Sequence, residues 1–85
     1  MTIEQIEKFM TNNKEVAEEP AKIFFKTRST VEGLFIKTAD FHELKRKNFW
    51  RIVSSTNLEN YRRSKDTNLS RIFNGAEFTR LSQKG

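Results

Sequence analysis

The densest run of chemically able side chains is Lys45-Arg46-Lys47-Asn48-Phe49-Trp50-Arg51. Cations packed this closely neutralise phosphates and release counterions, and an exposed ring among them stacks on a base. Arg62 and Arg63 extend the set if their segment lies beside the strand that carries Trp50. Together Lys45, Arg46, Lys47, Trp50, Arg51, Arg62 and Arg63 form a candidate surface for RNA or DNA. Such a surface would grip phosphates and read little sequence. The plainer alternative is a solvated charge run, with Trp50 inside the core. Only one face of a strand over this segment is exposed, which favours burial of Trp50.

Other chemistry has thinner support. His42 stands between Asp40 and Glu43, a trio able in principle to hold a metal. The chain has one His and no Cys, so a simple surface loop is the better reading and no metal is expected. Acid–base catalysis needs two converging carboxylates. Asp40, Glu43 and Glu59 are the candidates, and nothing in the sequence shows that they converge. A chain this short rarely builds both a core and a sizeable cleft, so neither an enzyme nor a cofactor is expected. The lack of cysteine excludes disulfides, thiolate nucleophiles and Cys-based zinc sites.

The chain has 85 residues, the size of one small domain, with 16 Lys and Arg against 11 Asp and Glu, a formal charge of +5. Hydrophobic residues make up 35%, below the usual ~45–50%. Eight Phe, one Trp and one Tyr supply much of the apolar volume, which argues for a folded, Phe-rich core rather than disorder. Residues 1–20 carry five Glu and two Lys, for −3, and the remainder carries +8. No apolar run approaches the ~20 residues of a membrane helix. Met1-Thr2-Ile3-Glu4 lacks the basic start of a signal peptide. The expectation is a cytoplasmic chain with no membrane partner.

The elements follow from periodicity. Residues 2–18 read as a helix, with Thr2 and Gln5 at capping-box spacing and Ile3, Ile6, Phe9 and Met10 on one stripe. Asn12-Asn13 is a candidate early stop or bend, and Pro20 ends whatever remains. From Ala21 the period changes to two. Residues 22–28 and 31–38 read as a hairpin, with Gly33 marking a bulge or bend. Residues 39–44 read as a connection. Residues 48–56 read as a third strand, with Trp50 and Ile52 on one face and Phe49, Arg51 and Val53 on the other. Glu59 to Arg63 is a candidate fourth strand. Residues 69–75 fit either a helical turn, favoured by the spacing of Leu69, Ile72 and Phe73, or a hairpin turn at Asn74-Gly75. Residues 76–81 read as the last strand with Phe78 inward, and 82–85 as a tail. The organisation expected is one domain over 1–85: a helix over 1–19 and a small barrel over 21–81. The class is mainly β (α+β), with four to five short antiparallel strands.

Residues 22–81 resemble the small SH3-like barrels, and within them the Sm-like branch. The likeness rests on the N-terminal helix, Gly33 in the second strand, Asp40-Phe41-His42-Glu43-Leu44 in place of the Asp loop, and Gly75-Ala76-Glu77-Phe78 at the closing turn. The resemblance implies a curled barrel. Sm-like proteins contact RNA bases through an Asn and an Arg at positions that hold Glu43 and Asn74 here. Two functions therefore stand side by side. One is nucleic-acid binding through the basic-aromatic segment. The other is a protein-interaction or assembly module using the helix stripe or a strand edge. Charges clustered beside an exposed ring favour the first; dispersed charges with an open strand edge favour the second.

Overall fold

A computed structural model of the chain describes residues 1–13 and 18–83. The first helix, α1, spans Ile3–Asn12. Its capping box forms as the sequence implies: Gln5 N donates to Thr2 Oγ1 at 3.2 Å, and Thr2 N donates to Gln5 Oε1 at 2.9 Å. The end is set by Asn13, whose backbone and side-chain N–H groups both donate to Phe9 O. A side chain that captures a helix carbonyl in this way competes with further helix. The helix therefore stops at the earlier of the two expected places. The expected continuation through Val16 and Ala17 lies outside the described residues.

Five strands follow: β1 Ala21–Phe25, β2 Val31–Phe35, β3 Phe49–Ser54, β4 Arg71–Asn74 and β5 Phe78–Gln83. They form one antiparallel sheet in the order β4-β3-β2-β1-β5. Two more helices, α2 over Phe41–Arg46 and α3 over Ser55–Ser64, together with two short 3-10 turns, bring helix to 41% of the described residues, against 33% strand. The class is thus α+β, with more helix than expected.

The sheet buries both faces. On one, Ile6 of α1 meets Ile23, Phe35, Trp50, Ile52 and Phe78, with Ile3, Phe9 and Met10 packed alongside. Burying a side chain such as Ile6 stabilises the fold by about 2 kcal/mol. On the other face, Leu58 and Tyr61 of α3 cover Leu34, Ile36 and Val53. Alternation along β3 sends Trp50 and Ile52 to the first face and Val53 to the second, as expected. Gly33 is explained by crowding. It pairs with Ala21 on one side and Ser54 on the other. A Cβ there would lie 2.5 Å from Ile52 Cγ2 and 2.9 Å from Val53 O. The register irregularity sits instead at Phe24/Phe25, between β1 and β5.

Several expectations need correction. Residues 39–44 are not merely a connection, because α2 begins at Phe41. Glu43 lies in its first turn and Lys45 and Arg46 in its last, which complements the helix dipole. Glu59 to Arg63 is not a strand but part of α3, whose Leu58 and Tyr61 stand one turn apart. Residues 69–75 are neither a helical turn nor a hairpin. Leu69 closes a 3-10 turn over Thr67–Leu69, and Arg71–Asn74 is β4. Asn74 caps a second 3-10 turn, Gly75–Glu77, by accepting from Ala76 N at 2.9 Å. The chain then crosses to β1 rather than folding back on β4. Ser82 and Gln83 are not tail, since they pair with Lys22 and Ala21.

Candidate functional site

The seven basic-aromatic candidates are separated by the fold. Trp50 is 1% exposed. Its indole lies edge-on to Phe35 and Phe41, and its Nε1 donates to Asn48 Oδ1 at 2.8 Å. No face of that ring is left for a base. Lys45 pairs with Glu7 of α1 at 3.1 Å, on the side of the sheet that carries α1. Arg51 alternates to the opposite side and forms a two-bond pair with Asp40, Nη2 to Oδ2 at 2.9 Å and Nε to Oδ1 at 3.3 Å. Arg62 donates to Glu18 O at 2.8 Å and Arg63 to Asn60 Oδ1 at 3.1 Å, both from α3. Arg46 and Lys47 remain exposed at the end of α2. The segment from Lys45 to Arg51 is therefore not one surface, and Arg62 and Arg63 do not extend it through a neighbouring strand.

Electrostatics make the Arg51–Asp40 pair the most strongly tuned charge pair described. Hydrogen bonds from Arg51, then from Thr38, hold the Asp40 carboxyl down to about 2, from an ordinary 3.8. The bond to Asp40 in turn raises the Arg51 guanidinium. Glu43 and Glu59 are exposed on α2 and α3 respectively. His42 is exposed beside Phe41. Among the described residues no group of three or more His, Cys, Asp or Glu comes together in a way that would hold a metal ion.

Three features escaped the sequence. Rings and cations meet elsewhere: Arg80 stands 4.2 Å over Phe24, and Arg28 stands over both Phe25 and Phe73 at 5.1 and 5.5 Å. Phe24 and Arg80 are cross-strand partners 56 positions apart, so only the register brings them together. A shallow cleft of about 510 Å³ opens beside Arg51, lined by Lys37, Thr38, Ala39, Asp40, Tyr61 and Thr67. Finally, β4 is an outer strand, and its Ile72 is 48% exposed, the one large hydrophobic so exposed among the described residues. No described helix is long and apolar enough to cross a membrane. No protein-family model, curated protein or solved structure matches the chain.

Proposed function

We propose that the chain is a small non-catalytic interaction module, an SH3-like barrel that accepts an extended segment of a protein partner along the edge of β4. The observation that carries this reading is the position of Ile72, exposed on an outer strand. An outer strand presents backbone N–H and C=O groups that an added strand can pair, and side chains beside it select the sequence. The competing docking element, the α1 stripe, is already engaged, since Ile3, Ile6, Phe9 and Met10 pack against the core. The return of β5 to β1 after a 3-10 turn supports the barrel, as do the ring contacts of Phe25 with Phe73 and Phe78. Arg71 on β4 and Arg28 over Phe73 favour a partner segment that alternates apolar and acidic residues.

Selection of displayed peptides on the full chain, followed by amide chemical-shift mapping, tests this. The expected ligands alternate apolar and acidic residues, shift Arg71–Asn74, and lose binding in Ile72→Lys. Ligands that map away from β4, or no ligand at all, would sink the reading.

A second reading, nucleic-acid binding, is favoured by Arg46 and Lys47 at the end of α2 and by the Arg80–Phe24 stack. It differs from the basic-aromatic surface expected around Trp50 because the ring and the cations come from different elements. Salt-dependent binding to oligonucleotides is its test.

A further inference from the structure

On the face opposite Trp50, Arg51 borders the cleft between the end of α3 and residues 37–40. We propose that this cleft binds a nucleobase together with its phosphate, supplied either by a free nucleoside monophosphate or by one residue of a single strand.

The phosphate half rests on two cations. Arg51 is held by Asp40 through Nε and Nη2, which fixes the guanidinium plane and leaves Nη1 with no partner among the described residues. A guanidinium already oriented loses little freedom when it takes a phosphate oxygen. Lys37 is exposed on the same wall, with its Nζ 5.4 Å from the Phe41 ring. One carboxylate, Asp40, faces these two cations, and both its oxygens are engaged by Arg51, with Thr38 also donating to Oδ1. The wall therefore keeps an excess of positive charge.

The base half rests on Tyr61. Its ring packs against the Leu34–Val53 cluster, which fixes its position. The Lys65 ammonium stands 5.7 Å over the ring, and a stacking base would take the place of that cation. A stacked base and a phosphate together need a cleft of a few hundred cubic ångströms, and about 510 Å³ is present.

The test is an amide chemical-shift titration of the full chain with AMP, ribose 5-phosphate, adenosine and a short oligo(A) RNA. AMP is expected to shift Lys37 to Asp40, Arg51, Tyr61 and Thr67 saturably. It should bind at least roughly fivefold tighter than ribose 5-phosphate, the lower end of what one stacked base adds, and tighter than adenosine, which lacks the phosphate that Arg51 and Lys37 would hold. Lys37→Gln, a change at an exposed residue, should weaken AMP by about five- to tenfold, the order of one net hydrogen bond at a solvent-exposed position. Tyr61→Leu should weaken AMP and leave ribose 5-phosphate unchanged, while Tyr61→Phe keeps both. Oligo(A) binding these same amides tighter than AMP assigns the ligand to a strand; weaker binding assigns it to the free nucleotide. If neither AMP nor oligo(A) shifts the cleft, or ribose 5-phosphate binds as tightly as AMP, the proposal is overturned.

Discussion

Trp50 Nε1 donates to Asn48 Oδ1 at 2.8 Å, and that bond satisfies the one polar atom of a side chain that is 1% exposed. Asn48 does more than accept it. Its Nδ2 donates to Met1 O at 3.0 Å, and its backbone O accepts from Gly75 N at 2.8 Å. Its φ of 62° lies in the left-handed region, which Asn tolerates better than most residues. Asn48→Ala should therefore destabilise the fold by about 2–4 kcal/mol, combining an unsatisfied buried donor with left-handed strain. Asn48→Gly removes the same bonds and relieves the strain, so it should cost roughly 1 kcal/mol less. Urea unfolding followed by the fluorescence of the single Trp measures both. Equal losses would show that backbone strain at Asn48 contributes nothing.

Gly75 sits against the same group. A Cβ there would overlap Asn48 Oδ1 and lie 2.6 Å from Ile6 Cδ1 and 2.7 Å from Trp50 Nε1. All three atoms are fixed, one by α1 and two by the Asn48–Trp50 bond. Gly75→Ala should cost about 1–3 kcal/mol, the usual range for overpacking, and should shift the Trp emission as the indole is displaced. A stable variant with unchanged emission would mean that the turn over Gly75–Glu77 moves away at little cost.

How far the sequence could be read follows from the range of each interaction. The start of α1 is legible because Thr2 and Gln5 are three residues apart and act on each other. Trp50 and Ile52 are legible because strand alternation is local. α3 is not, because only Leu58 and Tyr61 mark its apolar face and the surface they cover belongs to β2 and β3. β4 is hidden for a related reason. Leu69, Ile72 and Phe73 match a helical spacing, but pairing of Phe73 with Trp50 and of Ile72 with Arg51 makes the segment a strand. The same limit applies to the candidate site. The cations of residues 45–51 are visible as a run, while their partners Glu7 and Asp40 come from α1 and from the turn before α2. The Phe24–Arg80 stack depends on a register that no local pattern carries.

The Arg51–Asp40 pair predicts a pH dependence with a definite sign. The folded-state carboxyl of Asp40 is lowered to about 2 from 3.8. A lowered carboxyl contributes stability that is fully present above its unfolded value and is lost as pH falls through its folded value. The urea midpoints of the wild type and Asp40→Asn should therefore differ by a constant amount above about pH 5 and converge between about pH 4 and pH 2. A gap that persists unchanged to about pH 2 would show that Asp40 acts through packing or through Thr38, without its charge.

The basic run offers a test that separates its members. Lys45 is already paired with Glu7, and side chains 24% and 44% exposed place that pair in the class worth at most about 1 kcal/mol. The side chains of Arg46 and Lys47 make no hydrogen bond or ion pair among the described residues. If the chain grips nucleic acid at this end of α2, Arg46→Gln with Lys47→Gln should flatten the slope of log affinity against log salt. The change should be roughly 0.7–0.9 for each phosphate no longer neutralised. Lys45→Gln should change it less, because a phosphate must first displace Glu7. Its effect on stability should stay within about 1 kcal/mol. Fluorescence anisotropy of a labelled single strand at several salt concentrations measures the slopes. Equal effects of all three substitutions would mean that Glu7 does not restrain Lys45. No effect of any of them, with binding intact, would move the nucleic-acid interface away from α2 to the Arg80–Phe24 stack or to the cleft beside Arg51.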